Sequence, residues 1–308
     1  MLYFCQIKIK LKLKNDMKNI NLFLMDSEPT GRIKVLLAKH SAEVTYRIPK
    51  NLLAKCKDLE YLDNCGIYFL FGDTEDNIKP VVYIGQAGDR QVGQGIYRRL
   101  NEHKERLDWW IEAVVFTTTN NSFGPTELCY LENTFYTLAK DIDRYDLKNS
   151  KKPSPGNTTE EEKNALKEFI GNAKIVMCML GHKLFEPIMK LSSTDNPKRE
   201  EANEFYINKS SIEVNATANR TNEGIVVLSG SKIRNKLVPH CPDSVRTSRK
   251  NNKKNIDENS VLKKEILFKT PSGASSFVLG AASNGYTEWK TKDGKTLKDI
   301  EIEESKIG

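Results

Sequence analysis

A chain of 308 residues with 38% hydrophobic and 29% charged side chains holds enough apolar material for about two packed domains. No apolar run approaches the ~20 residues that span a bilayer, so a membrane-spanning helix is not expected. A net charge of +7 permits a polyanionic partner without requiring one. The six cysteines include no Cys-x-x-Cys pair, which argues against a zinc ribbon. With no secretion signal ahead of them, they point to reduced thiols in the cytoplasm.

Residues 1–63 read as an N-terminal extension followed by a strand-rich segment. Near the start, apolar and basic residues alternate (Ile7, Lys8, Ile9, Lys10, Leu11, Lys12), the pattern of a strand rather than of a signal peptide. Met17 opens a more conventional beginning. Residues 1–16 are therefore expected to be an upstream extension of the reading frame or a dispensable arm. Strand-like runs follow at 21–25, 33–37 and 44–48, with a turn at Glu28-Pro29-Thr30-Gly31.

Residues 64–150 form a tightly patterned α/β module. Two β-forming runs, 66–71 and 81–85, flank a polar turn around Asp73 and Asp76, which is a hairpin signal with a long loop. From Gly95 the period becomes helical. Ile96, Leu100 and Leu107 fall near one face, and Arg99 and His103 lie one turn apart on another. A third strand is expected at 113–118. Pro125 suits the first turn of a second helix, whose buried stripe would be Leu128, Leu131, Phe135 and Leu138. The predicted order is β-β-α-β-α.

Residues 151–203 read as a helical connector and linker. Lys151-Lys152-Pro153-Ser154-Pro155-Gly156-Asn157 is a breaker. Thr158, with Glu161 three residues on, has the form of a capping box for a helix through Ala165, Phe169 and Ala173 that ends at Gly181. Residues 192–201 are polar and linker-like. Residues 204–308 are expected to form a small α+β accessory domain, with DNA binding as its candidate role. In it Ser272 would cap a helix through Leu279, and Trp289 would pack in a core. The basic run 246–254 would either track phosphates or be a disordered loop.

The module carries a set of side chains suited to phosphodiester hydrolysis. Tyr68 and Tyr83 sit on adjacent strands of the predicted hairpin, where two such residues can share a face. Arg99 and His103 are at i and i+4 of one helix. Glu132 lies off the apolar stripe of the next, and Asn149 follows it in a loop. One or two carboxylates suffice for a magnesium ion, which would polarise a phosphoryl oxygen. A guanidinium suits the charge that develops at phosphorus. A tyrosine oxygen whose pKa is lowered by the metal or by Arg99 can take a proton from water.

The pieces Gly66-Ile67-Tyr68, Tyr83-Ile84-Gly85, Arg99-Leu100-Asn101-Glu102-His103 and Leu131-Glu132-Asn133 resemble the GIY-YIG nuclease family. The resemblance implies a small β-sheet flanked by helices and a DNA endonuclease with a single divalent metal, Mg2+ or Mn2+, held by Glu132. It implies that Arg99 stabilises the transition state and that Tyr68 is the general base or positions the water, with support from Tyr83 and His103. It implies that Asn149 closes the site. The expected fold class is α/β (α+β), with a second small α+β domain. Residues 270–280 and 284–290 resemble a domain of unknown function often appended to such nucleases in bacteria. A catalytically silent DNA-binding module of the same fold is the alternative. A nucleotide-binding reading of Gly85, Gly88, Gly93 and Gly95 lacks the Gly-x-Gly-x-x-Gly order.

Overall fold

The computed structural model describes residues 19–37, 42–73, 79–88, 95–187 and 204–306. The alternating segment at 7–12, the centre of the hairpin turn at 74–78 and the linker at 192–201 lie outside them. The chain divides into two units, one ending at Phe185 and the other starting at Glu186. Both mix helices with antiparallel sheet, so the class is α+β.

The first unit is built on seven strands. These are β1 (Ile20–Leu24), β2 (Ile33–Leu37), β3 (Glu43–Pro49), β4 (Gly66–Gly72), β5 (Val81–Ala87), β6 (Trp110–Thr118) and β7 (Asp146–Leu147). Their order in the sheet is β1-β2-β3-β6-β4-β5-β7. Strand β4 lies between β6 and β5, and all seven of its residues are buried. A strand covered on both faces reads as a continuous apolar run, and Gly-Ile-Tyr-Phe-Leu-Phe-Gly is one. Ile67, Phe69 and Phe71 point to one face, where they meet α2 (Pro125–Ile142) and α3 (Glu160–Met179). Tyr68 and Leu70 point to the other, where they meet α1 (Ile96–Arg106) and a 3-10 turn at Lys50–Cys56.

The segments expected on either side of the module are part of this same unit. Strand β3 pairs with β6 along its whole length, and the Arg47–Glu112 ion pair, 2.6 Å, ties the two strands. Helix α3 contributes Leu166, Phe169, Ala173 and Val176 to the core that holds Phe69 and Phe116. Its capping box is Thr159 with Glu162, one residue later than expected from Thr158 and Glu161. Both pairs satisfy the motif. Thr158 is instead buried ahead of the helix. Gly181 follows the helix at φ +93°, the left-handed turn that glycine allows.

Helix α1 is docked at its start by the chain before β4. The amides of Ile96 and Tyr97 donate to the carbonyls of Asn64 and Leu62 at 3.3 and 2.8 Å, satisfying two of the free N–H groups at the helix start. Its buried residues are Ile96, Leu100 and His103. His103 therefore shares the apolar face, and Leu107 lies just past the helix end. Strand β6 starts at Trp110, three residues earlier than predicted, with Trp110 buried under α1 and its indole donating to the His103 carbonyl.

The second unit carries β8 (Glu204–Lys209), β9 (Val214–Thr221), β10 (Gly224–Val227) and β11 (Ile266–Phe268), in sheet order β11-β10-β9-β8. Among the described residues four helices accompany them: α4 (Asp243–Asn251), α5 (Pro271–Leu279), α6 (Gly285–Glu288) and α7 (Leu297–Ser305). Thr270, not Ser272, caps α5, accepting from the Gly273 amide at 3.1 Å, while Ser272 accepts from Gly285. Trp289 is fully buried beside Phe277 and Leu297, and its indole donates to the Pro271 carbonyl. The run 246–254 is ordered as the end of α4 and a 3-10 turn. Among the described residues no helix is long and apolar enough to cross a membrane.

Phe69 touches the rings of Phe71, Phe116, Phe135 and Phe185 with centroids 5.4 to 6.3 Å apart. Phe69→Ala is expected to destabilise the first unit by about 3–5 kcal/mol, the range for emptying a packed aromatic site. Urea unfolding followed by circular dichroism measures it.

Candidate active site

Side chains from opposite faces of the first sheet meet where its edge opens. Strand β7 is two residues long and pairs only with Val81 and Val82 of β5. The ladder is extended by the Lys148 amide, which donates to the Val82 carbonyl at 2.8 Å. It ends on Asn149. The Asn149 side chain accepts from the Ile84 amide at 3.1 Å and donates to the Ile84 carbonyl at 2.7 Å, taking the place of a neighbouring strand. Beyond that point β5 runs on through Gln86 to its end at Ala87, with Gly88 following. There α1 from one face and α2 from the other close on a cleft of about 380 Å³. Tyr68, Tyr83, Gln86, Arg99, Glu102 and Glu132 are among its walls.

Tyr68 is the centre of the polar network. Its hydroxyl lies 2.8 Å from His103 Nε2 and accepts from Arg99 Nε at 3.3 Å. Burial, followed by the neighbouring charge of Arg99, depresses the His103 pKa to about 4. The imidazole is therefore neutral near pH 7. Its Nε2 lone pair takes the phenol proton, an assignment made from the network. The Tyr68 oxygen is then both donor to His103 and acceptor from Arg99. The Tyr83 ring stacks 6.2 Å from Tyr68 and 5.1 Å from His103, closing the apolar side.

Arg99 does pull the Tyr68 pKa down, as expected, but the net shift is upward. Burial pushes the phenol well above its ordinary value, and the charged form of Tyr83 would push it further; Arg99 opposes both and does not win. The reason is that Tyr68 is fully enclosed, so the cost of a phenolate without water exceeds the attraction of one guanidinium.

Arg99 is itself held in place. Its Nη1 donates to Glu102 Oε2 at 2.6 Å, and Arg98 stands 3.6 Å from the other Glu102 oxygen. Across the cleft, Glu132 Oε2 accepts from Gln86 Nε2 at 3.0 Å. Burial raises the Glu132 pKa against the pull of Gln86 and Arg99. This donor set fits one hard cation that keeps most of its water, since magnesium needs one or two carboxylates. Among the described residues no group of three or more His, Cys, Asp or Glu converges.

Five of the six expected residues are thus brought together: Tyr68, Tyr83, Arg99, His103 and Glu132. Asn149 does not line the cleft and acts on it through the backbone of β5. His103 reaches it only through the Tyr68 hydroxyl. Gln86 and Glu102 belong to the site and were not singled out as members of it. Glu102 is legible as the i+3 partner of Arg99 on a helix. Gln86 has a weaker signal, as a polar residue two positions beyond Ile84 in a strand whose alternation aims both at the α2 face.

Gly85 explains the second tripeptide. A Cβ there would overlap the Tyr68 hydroxyl and come within 2.8 Å of the Tyr83 ring, so Tyr68 lies flat over a residue without a side chain. At Gly66 a Cβ would overlap the Phe116 carbonyl on the neighbouring strand.

Two outcomes follow from the network. The native His103 resists a proton that the unfolded chain accepts, because its folded pKa lies below 6.5. Its contribution to stability is complete above pH 6.5 and falls as the pH drops towards 4. NMR titration of the imidazole should give a midpoint near 4, and a midpoint at 6.5 would remove the Tyr68–His103 bond from the account. Gly85→Ala should fold but displace the Tyr68 ring, which loss of the His103 signal shift would report.

Residues 205–301, within the second unit, match the family described as Domain of unknown function (DUF4357). No curated protein and no solved structure matches the chain. The appended domain read from residues 270–290 is therefore present, and its match does not extend into the first unit.

Proposed function

We propose that the first unit is a divalent-metal-dependent endonuclease that hydrolyses DNA phosphodiester bonds through a GIY-YIG-type site. The supporting observation is the Tyr68 hydroxyl, bonded to both His103 and Arg99, at a cleft whose other wall carries Glu132. In this reading the scissile phosphate lies between Arg99 and Glu132. A Mg2+ or Mn2+ ion held by Glu132 would supply Lewis-acid stabilisation of the phosphoryl and leaving oxygens.

The chain's own groups manage the proton and the charge. Because a free phenolate is costly at Tyr68, the residue works as a relay. It accepts a proton from the attacking water as its own proton moves to His103 Nε2, and the transient imidazolium gives that proton up to solvent once the ester bond has broken, so no charged phenolate has to persist. The water oxygen bonds to phosphorus as the ester bond to the leaving oxygen breaks, and the leaving oxygen is protonated from solvent. Arg99, held by Glu102, donates to the non-bridging oxygens as their charge grows. Gln86 orients Glu132, and the Tyr83 ring packs against Tyr68 and His103 and holds them in place. The thiols of the buried Cys56 and Cys241, which form no disulfide among the described residues, fit a reducing compartment, and we place the protein in the cytoplasm.

Nicking of supercoiled plasmid with magnesium or manganese tests the proposal. Glu132→Ala is expected to abolish cleavage with its fold retained, and Arg99→Ala to slow the chemical step by roughly 10²-fold, as removal of a preorganised donor does. Equal turnover by the parent and both variants would refute the site. Retention of DNA in a gel shift without cleavage would turn the reading to a binding module.

A further inference from the structure

We infer that the second unit binds the phosphate backbone of duplex DNA, independently of sequence, through an exposed lysine surface made by Lys250, Lys253, Lys254, Lys263 and Lys264. From Lys232 to Lys269, Lys and Arg outnumber Asp and Glu by eleven to four. The five lysines named are all exposed, and among the described residues none has an acidic partner within 4 Å. By contrast Lys209, Lys232 and Lys295 of the same unit pair with Glu288, Glu213 and Glu303 at 2.7 to 2.8 Å.

The backbone gathers these lysines. Ile256 bridges Leu262 in antiparallel fashion, and the Lys263 amide donates to the Asn255 carbonyl at 2.8 Å. That bond places Lys263 against Asn255, whose chain neighbours Lys253 and Lys254 make up the rest of the 3-10 turn. Like charges gathered in this way repel, and among the described residues none of these lysines has an acidic partner to offset it. Asp257 is engaged elsewhere, accepting from the amides of Asn259 and Val261 to make the turn. Glu258 and Glu265 form no ion pair with the cluster among the described residues.

The platform under the charges is firm. Arg249 lies half-buried over the Phe277 ring at 4.9 Å and donates to the carbonyls of Phe277, Val278 and Arg234. One guanidinium thus pins the basic helix α4 to the end of α5, where backbone carbonyls lack partners of their own. Burial depresses its pKa to about 10, which still leaves it charged at neutral pH.

The surroundings favour a duplex backbone over other polyanions. From Lys232 to Leu267 the sequence holds no Phe, Tyr or Trp, so it lacks the stacking platform that a single strand requires. The exposed large apolar residues of this unit, Tyr286 and Ile302, lie outside the segment, which leaves no apolar anchor for a membrane surface. Asn251, Asn259 and other amides nearby supply neutral donors of the kind that accompany phosphate contacts. The inference concerns binding alone and does not rest on the nuclease reading; a full chain that binds without cutting leaves it intact.

The test is fluorescence anisotropy of a labelled random-sequence duplex with the full chain in chelator, across a salt series. Each phosphate-neutralising lysine replaced should flatten the slope of log K against log salt by about 1. The fourfold variant Lys253→Gln, Lys254→Gln, Lys263→Gln, Lys264→Gln should lose about 3 to 4 from the slope and bind at least roughly tenfold more weakly at physiological salt. A control replacing the paired Lys209, Lys232 and Lys295 with Gln should match the parent. If the fourfold variant does not fold by circular dichroism, the two pairwise variants carry the same measurement at about half the effect. An unchanged slope, an equal loss in the control, or a loss confined to phosphatidylserine vesicles would each overturn the inference.

Discussion

The first unit depends on a phenol hydroxyl buried inside a β-sheet protein. A buried hydroxyl without partners costs free energy on the order of 1–3 kcal/mol, so the fold around Tyr68 has to satisfy it. It does so with two groups from one helix, an imidazole and a guanidinium four residues apart. That requirement sets the rotation of α1, because Arg99 and His103 must both face β4. The same rotation explains why His103 sits on the buried face with Ile96 and Leu100. Burial keeps the imidazole neutral, and a neutral imidazole is the only form of His103 that can accept the phenol proton. Packing, protonation state and hydrogen-bond direction are one constraint seen from three sides.

The sheet edge makes the second condition. A longer β7 would pair with β5 beyond Val82 and separate the side chains of α1 from those of α2. Asn149 ends the ladder with a side chain, which satisfies Ile84 without covering Gln86 and Gly88. Gly85 then lets the Tyr68 ring reach across β5 toward the cleft. A two-residue strand, one amide and one missing Cβ together permit residues from opposite faces of a sheet to share a site.

Much of this was legible before the structure, and the exceptions have physical causes. The central strands β3, β4, β5 and β6 follow from their apolar runs because both faces of the sheet are covered there. Helix starts were harder: Thr158 and Thr159 both precede a glutamate by three, and only tertiary burial of Thr158 chooses between them. Thr270 was open to detection, since Pro271 belongs at the first helical position and so designates the residue before it as the cap. His103 was read on the polar face because a histidine carries no periodic signal of its own. The ordered set Tyr68, Tyr83, Arg99 and Glu132 was visible from its spacing, whereas Gln86 and Glu102 take their roles only from what they touch. The Tyr68 protonation could not be read from the residue list, because it turns on enclosure rather than on neighbours.

The charge balance of the cleft carries the metal argument one step further. Glu132 is half-buried, and burial alone works against its ionised form. A lysine or arginine at position 86 would neutralise it and occupy the space a cation needs. Glutamine supplies a hydrogen bond and no charge, so the carboxylate is oriented without being cancelled. Arg99 is the nearest cation to act on it, but Arg99 is bonded to Glu102 and to Tyr68, which directs it to the other wall. The two walls thus keep opposite charges apart across the cleft, Glu132 on one side and Arg99 on the other. Such a separation is costly unless something carrying both signs fits between, and a phosphate with its own hard counter-ion has that character.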